Sequence, residues 1–399
     1  VENYAVPHRS FETILPMRTL ITGGTLLTPD QVIKEHTLII EGEKILQIIP
    51  DAPSALIEKE IINVKGFFVV PGFIDIHVHG AFGSDTMDAT SDAILEMGNY
   101  FARHGVTSFL PTTVAASARD IQAAIDNIAN TPQSSNGAHP LGIHLEGPYL
   151  SQEFRGAQPS QHLRSAELDE YKSWIRDKAV RLITVAPEVA GVSDLIRVGT
   201  KAGIEFALGH TGATYEQAQA AVESGLRQAT HTFNGMPAFQ HRSPGVLGAV
   251  LSDDRIWAQI IVDGIHVHPA IVKFLVKAKG TDRTILITDA IRATGMCDGD
   301  YSLGDQMVHV KDGVARTDAG GLAGSTLTMD RALRNVMEFV EISLPEALPM
   351  ATRVPATAMH LESHKGSIAP GFDADIVVLD ESYQVRMTMV GGRIMYRDL

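Results

Sequence analysis

The sequence predicts an α/β protein, a (β/α)8 (TIM) barrel joined to a small sheet domain made from both chain ends. Three observations predict it. Eight short apolar runs alternate with helix-like stretches through the middle of the chain, at intervals of roughly 20 to 40 residues, as βα units should. The two ends are instead rich in strand patterns, and neither could bury a core by itself. Polar residues in the eight runs gather where each run stops, and in such a barrel the C-terminal strand ends converge on one face.

The first sixteen residues, VENYAVPHRSFETILP, have neither a basic start nor a long apolar stretch, so they are not read as a signal peptide. A strand-like pattern begins at Met17 (MRTLITGGTLLTPD), which is the expected natural start, with residues 1–16 an added upstream segment. HTLIIEGEKILQIIP (36 to 50) reads as a hairpin turning at Glu41-Gly42 between β-branched runs. The eight runs follow: GFFVVPGFIDIH, SFLPTT, LGIHLEG, RLITVAPE, IEFALGH, RQATHTFN, IWAQIIVDG and RTILITDA. One helix between them is legible in detail. TYEQ (Thr214 to Gln217) is a capping-box pattern, AQAAVES continues it, and Gly225 suits the residue that ends a helix. TPQSSNGAHP (131 to 140) is a polar loop. DADIVVLD and VRMTMVGGRIMYRD close the chain as strands, turning at Gly391-Gly392. The expected division is a sheet domain of residues 17–66 and 366–399 around a barrel of residues 67–365.

Composition narrows the function. With 399 residues, 44% apolar and 20% charged, the chain is globular and large enough for one big barrel or two to three domains. No apolar run approaches the ~20 residues of a membrane span. A net charge of −14 argues against nucleic acid and anionic membranes as partners. The single cysteine, Cys297, excludes a disulfide framework and favours a reducing, cytoplasmic location.

The chemistry is concentrated at the run ends. PGFIDIHVHG (71 to 80) brings out His77 and His79 together, since residues two apart in a strand share a side. Glu146 ends the third run, His210 the fifth, His231 the sixth and Asp289 the eighth. Taken singly, each has an ordinary explanation: His210 a satisfied core histidine, Glu146 a carboxylate facing a helix dipole, Asp289 a cap. Independent accidents would not select one face of one barrel. Histidines and carboxylates converging in a cleft are the ligand set of zinc or a similar divalent ion.

That order of residues resembles the amidohydrolase superfamily, whose fold is a metal-bearing (β/α)8 barrel with a small β-sandwich. Within it, HLEGPYL (144 to 150), VAPE (185 to 188), GHTGATYEQA (209 to 218), THTFNGMP (230 to 237), DGIHVH (263 to 268), LITDA (286 to 290) and LAGSTLTM (322 to 329) resemble the branch that deacetylates N-acetylglucosamine 6-phosphate. The likeness runs from about Met17 to the C-terminus.

The resemblance implies roles. Glu146, His210 and His231 match the ligands of the metal used by all active members. His77 and His79 match those of a second metal held in some members, giving one or two ions, Zn2+ above all, per subunit. Asp289 matches the general base and acid. Asn234, Gly235 and His266 match residues that grip the sugar phosphate, with Asp263, Gly264 and Ile265 in the same DGIH segment and Ala157 beside Gln158. Leu322, Ala323 and Gly324 match a loop closing over substrate. Arg242 matches a phosphate-binding arginine reaching in from the second subunit of a homodimer. One departure stands in RGAQP (155 to 159), where Gln158 replaces a histidine that polarises the acetyl carbonyl in some relatives; its amide can still donate that hydrogen bond.

The implied reaction turns N-acetylglucosamine 6-phosphate into glucosamine 6-phosphate and acetate, with N-acetylgalactosamine 6-phosphate or another N-acetyl sugar as the alternative substrate. A dihydroorotase-like cyclic-amide hydrolase would bridge its metals with a lysine on the fourth strand, but RLITVAPE has none. A scaffold that had lost catalysis would lack ligands, and none is lacking.

Overall fold

Eight parallel strands follow the eight apolar runs one for one: β1 (Phe73–Val78), β2 (Val106–Thr113), β3 (Ile143–Glu146), β4 (Val180–Val185), β5 (Glu205–Leu208), β6 (Gln228–Ala229), β7 (Trp257–Ile261) and β8 (Thr284–Ile287). The computed structural model describes residues 18–29, 31–50, 59–132 and 136–399. Met17, the segment before it and part of the polar loop at 131–140 therefore lie outside the described residues. Every residue of β1, β2, β3 and β8 is buried. A parallel sheet covered on both faces has no solvent side, so these strands lack a polar alternation.

Each strand pairs in parallel with the next from β1 to β8. The seam from β8 back to β1 is closed differently. Asp289 N–H donates to the His77 carbonyl (3.0 Å), His79 N–H to the Ala290 carbonyl (2.8 Å), and the Thr288 hydroxyl to the Asp75 carboxylate (2.5 Å). Barrel closure and site residues are thus the same residues.

A helix follows each strand: α1 (Ser91–Ala102), α2 (Ala118–Asn130), α3 (Leu168–Trp174), α4 (Val192–Lys201), α5 (Tyr215–Ser224), α6 (Gly245–Ser252), α7 (Pro269–Lys279) and α8 (Met329–Val340). α2 shows the usual logic, burying Ile121, Ala124, Ile125 and Ile128 at the spacing of one helical face. α5 begins at the expected capping box, with Thr214 and Gln217 each accepting the other's backbone N–H, and ends at Gly225.

The chain ends form two sheets. One orders its strands Lys44–Pro50, His36–Glu41, Arg18–Thr22 and Lys59–Asn63; the other runs Arg393–Arg397, Val385–Val390, Ile376–Leu379, Phe68–Pro71, Thr25–Leu27 and Val32–Ile33. Ile21, Leu38, Ile45 and Ile62 of the first pack with Leu26, Val69, Ile376, Val378, Met387 and Met389 of the second, a β-sandwich core. The alternate residues Val70, Val377, Leu379 and Val385 join the barrel core instead. The six-stranded sheet is therefore buried on both faces, which explains the unbroken IVVL of its central strand.

Two features differ from the sequence reading. The first apolar run divides at Gly72: Phe68–Pro71 pairs within the sandwich and Phe73–Val78 within the barrel. A Cβ at Gly72 would collide with Thr107 of β2, so the handover needs glycine. Between β8 and α8 stands an antiparallel three-stranded insert, Gly299–Leu303, Gln306–Lys311 and Val314–Thr317, which the sequence reading left unassigned. Its strands are half-exposed and short, and its turns are the dipeptides Gly304-Asp305 and Asp312-Gly313.

Asp330 on α8 ties barrel to sandwich. Buried, it meets His104 Nδ1 (3.1 Å) and Arg334 Nη1 (3.0 Å), and Arg334 also donates to the Tyr383 carbonyl (3.1 Å) in the sandwich. Burial opposes its ionisation, but His104 and Arg334 outweigh that and bring its pKa down to about 2. The folded chain thus favours the carboxylate. Its contribution is complete above about pH 4, the ordinary aspartate pKa, and fades as the pH falls towards 2. Asp330→Ala should cost roughly 3 kcal/mol at neutral pH, read as a lower midpoint in urea unfolding, and the gap to the unaltered chain should narrow between pH 4 and pH 2.

Candidate metal centre

The side chain at the middle of the site is Glu146, which ends β3. Its Oε1 lies 3.0 Å from His231 Nε2, 3.2 Å from His210 Nε2 and 3.5 Å from His77 Nε2, while Oε2 lies 3.3 Å from His79 Nε2. Asp289 Oδ1 stands 3.4 Å from His77 Nε2 and 3.2 Å from His79 Nε2. The donors form two groups sharing one carboxylate: His77, His79 and Glu146, and Glu146, His210 and His231. All six residues are buried.

Their chemistry fits a divalent cation. His79 Nδ1 faces the Thr112 carbonyl (3.1 Å) and His210 Nδ1 the Phe154 carbonyl (3.0 Å). A carbonyl only accepts, so each Nδ1 carries a proton, and Nε2 is the ring nitrogen that faces the centre and would be the donor to an ion. Nε2 atoms also face each other at 3.1 Å (His231 and His210) and 3.4 Å (His77 and His79). Ring nitrogens this close need a proton or a cation between them. That donor set matches zinc and similar ions.

The electrostatics follow from crowding. Burial works against an ionised Glu146, yet His77 and the three imidazoles that touch it hold its carboxyl well below the usual range. Burial likewise opposes charge on Asp289, but His77 and His79 bring it down to about 2. Burial pushes His77 down to about 4, whereas Asp289 and Glu146 overcome burial at His79 and raise it well above an ordinary histidine. An ion entering here displaces protons from the imidazoles.

Three of the six residues have left-handed backbones: His210 (φ 47°), His231 (φ 29°) and Asp289 (φ 51°). Such positions cost about 1–3 kcal/mol each and persist where the surroundings hold them. Past His210, Glu188 of the VAPE segment accepts from the Thr211 hydroxyl (2.5 Å) and Gly212 N–H (2.7 Å), while Thr211 N–H donates to the Gly235 carbonyl (3.0 Å). Gly235 must itself be glycine, since a Cβ would stand 2.8 Å from His210 Nδ1. Ser325 N–H secures the Asp289 carbonyl (2.8 Å) and Gln259 accepts the N–H of Thr232 after His231 (2.8 Å).

A cavity of about 190 Å³ opens above the donors. Of the expected residues it brings together His79, Glu146, Ala157, Gln158, His210, His231, Asn234, Gly235, His266, Asp289, Leu322 and Gly324. His77 lies beneath it. Asp263 does not line it but orients His266, accepting from its Nδ1 (2.7 Å) and from the N–H groups of Ile265 and His266 (2.8 Å each). Ala323 is buried in the apolar cluster behind the wall. Gly264 and Ile265 lie outside this lining, and Arg242 is exposed away from it. Gln158 accepts Ala115 N–H on its Oε1 (2.8 Å), which directs its NH2 to Glu146 Oε2 (2.6 Å).

Sequence reasoning passed over several supporting residues. Asp75 lies on the same side of β1 as His77 and His79; burial raises its pKa to about 7 against the hydrogen bonds of Thr288 and His77. Its signal was the D-x-H-x-H alternation. His144, two residues before Glu146, packs edge-on to His77 at 4.7 Å and bonds Thr184 Oγ1 (2.7 Å); burial keeps it neutral, well below the usual histidine pKa. Val114 and Leu303 also line the cavity, and nothing local in their sequence marked them.

A profile of the amidohydrolase family matches residues 68–395. The chain belongs to the amidohydrolase family. Among characterised amidohydrolases it is 41% identical to the N-acetylglucosamine-6-phosphate deacetylase of Vibrio furnissii, over 82% of this chain and 83% of that one. It is 37% identical to the N-acetylgalactosamine-6-phosphate deacetylase of Escherichia coli O157:H7, over 95% and 99% of the two chains. Among solved amidohydrolase structures, the N-acetylglucosamine-6-phosphate deacetylase of Pasteurella multocida superposes with a TM-score of 0.90 at 31% identity, covering 95% of this chain and 99% of that one.

His210→Ala should lower the metal content of the purified protein by at least half, measured by elemental analysis beside circular dichroism to verify folding. Removing the ion with a chelator should lower the melting temperature. An ion present at about 100 times its Kd contributes about 2.7 kcal/mol to stability, and re-adding it should restore that loss.

Proposed function

We propose that this amidohydrolase hydrolyses the acetamide of N-acetylglucosamine 6-phosphate, releasing acetate and glucosamine 6-phosphate in amino-sugar breakdown. One observation carries the reading. Glu146 is shared by two histidine groups at the floor of a cavity, in a chain that aligns over most of its length with deacetylases of phosphorylated N-acetyl sugars. The galacto sugar is the second reading, because a relative acting on it aligns along nearly the whole chain.

The divalent ion is Zn2+, one or two per subunit, held by Glu146, His210 and His231 and, where a second is present, by His77 and His79. When bound it makes hydroxide available near neutral pH and polarises the amide carbonyl. Asp289 takes a proton from the attacking water and delivers it to the departing nitrogen, so that the C–N bond breaks as the new C–O bond is kept. Its depressed pKa leaves it ionised and ready to accept that proton at neutral pH. One N–H of Gln158 is committed to Glu146, and the other donates to the acetyl oxygen. Asn234, Gly235 and His266, with Asp263, Gly264 and Ile265 behind it, grip the sugar phosphate. Leu322, Ala323 and Gly324 close over it.

The phosphate draws its last partner from a second copy of the chain. Arg242 is exposed on the loop between β6 and α6 and does not line its own cavity. In a cytoplasmic homodimer it reaches the neighbouring site, where its planar guanidinium makes a bidentate phosphate contact.

Acetate release from both phosphorylated sugars and their unphosphorylated analogues tests the reading; absence of acetate from every phosphorylated sugar overturns it. Asp289→Asn should lower kcat about 10²- to 10⁴-fold with the metal retained. Arg242→Ala should raise KM for the phosphorylated sugar roughly ten- to a hundredfold while leaving the unphosphorylated analogue unaffected. Mixed dimers of the two variants should regain activity on dilute substrate, because one site then combines an intact Asp289 with a neighbour's Arg242.

A further inference from the structure

The cavity has two chemically different ends, and the apolar one has no role in the reaction described so far. Val114, Ala157 and Leu303 form it. Val114 directly follows β2. Two residues earlier Thr112 accepts from His79 Nδ1 (3.1 Å), and one residue later Ala115 donates to Gln158 (2.8 Å), the side chain that reaches Glu146. These bonds hold Val114 beside the metal donors, on the His79 and Gln158 side. Asn234, Gly235 and His266 belong to the other end, with Gly235 against His210.

Leu303 comes from the three-stranded insert. It ends the first strand, and Gly304 follows at φ +58°, where a Cβ would stand only 2.7 Å from Val114 Cγ2. The hairpin tip therefore lies directly on Val114. Further bonds fasten it: Gln306 Nε2 donates to the Ala157 carbonyl (2.5 Å), and Asp305 accepts from Gln161 (3.0 Å) and His162 (3.1 Å). Behind Leu303 there is packed core, since Leu303 and Val114 share a buried cluster with Ile291, Val308 and Ala323. The wall has little room to retreat.

An amide seated on the donors must send its two substituents to these two ends. The nitrogen carries a sugar with hydroxyls and a phosphate, which would lose their hydrogen bonds against an apolar wall. The carbonyl carbon carries only a methyl group. We propose that Val114, Ala157 and Leu303 form the acyl pocket, and that Leu303, supplied by the insert, sets the longest acyl group the enzyme accepts. This rests on the deacetylase reading above and adds the group that it selects. Hydrolysis balances as before: water oxygen joins the acyl carbon, the C–N bond breaks and the proton goes to nitrogen, whatever the acyl length.

The test compares kcat/KM for the N-formyl, N-acetyl, N-propanoyl and N-butanoyl forms of the amino-sugar phosphate. Leu303→Ala should raise the propanoyl-to-acetyl ratio by about tenfold or more, the usual worth of one methylene in an apolar pocket. Leu303→Val should move it the same way by less, and serves if the alanine variant folds poorly. Leu303→Phe should shift preference towards the formyl substrate. Met307→Ala, at an exposed position on the next strand of the insert, should leave all ratios unchanged. If the Leu303 variants change every substrate by one common factor, Leu303 only supports the insert and the acyl pocket is overturned. If the unaltered enzyme releases no acetate from any amino-sugar phosphate, the deacetylase reading falls first and this one with it.

Discussion

Six polar side chains with almost no access to water have to tolerate one another around the carboxylate of Glu146. Four imidazoles within 3.5 Å of it provide the attraction that keeps that carboxylate ionised inside the barrel. The rest of the molecule is arranged to keep these groups from moving apart. Backbone carbonyls at Thr112 and Phe154 fix two of the rings, and the left-handed turns at His210, His231 and Asp289 direct side chains inward from strands too short to do so alone. Such turns are costly, and a rigid frame is what sustains them.

That frame is unusually well covered. The six-stranded sheet buries one face in the sandwich and the other in the barrel core, so it braces the barrel beside β1 rather than hanging from it. Gly72 is where the two structures exchange the chain, five residues before His77. At the opposite seam, Asp75 and Thr288 bind β1 to β8 under the site itself. Support reaches the metal donors through short, buried, hydrogen-bonded routes.

Much of this was legible in the sequence because the barrel repeats one physical problem eight times. Where a strand reaches the cluster it is apolar until it ends and polar just after, so the place where a run changes character marks the side chain that converges there: His77, Glu146, His210, His231, Asp289. The capping box at Thr214 was local and equally readable, and so was the hairpin near residue 42, although its turn is Gly42-Glu43, one residue later than the sequence suggests, because Glu41 still pairs with Lys44. What escaped depended on distance in the chain. The half-exposed insert has weak patterning, and Leu303 acquires its place only when the hairpin tip lands on Val114, nearly two hundred residues away. Asp75 and His144 were passed over because support beneath a site has the residue types of a site without its position at a strand end. The division of the first run at Gly72 was hidden because both halves are fully buried and read alike.

The sandwich draws on strands from both chain termini, and this has a consequence for how the protein is made. Phe68–Pro71 must wait for Ile376–Leu379, its partner on one side. At about 5–20 residues per second of synthesis the wait is roughly 15 to 60 s. Throughout that interval an emerging chain exposes one edge of an apolar strand, immediately ahead of the histidines on β1. Non-local pairing of this kind slows folding and leaves edges open to aggregation. Bracing of β1 by the finished sandwich therefore belongs among the last events of folding, and a nascent chain cut short before its final strands would hold the eight barrel strands without the sheet that backs them.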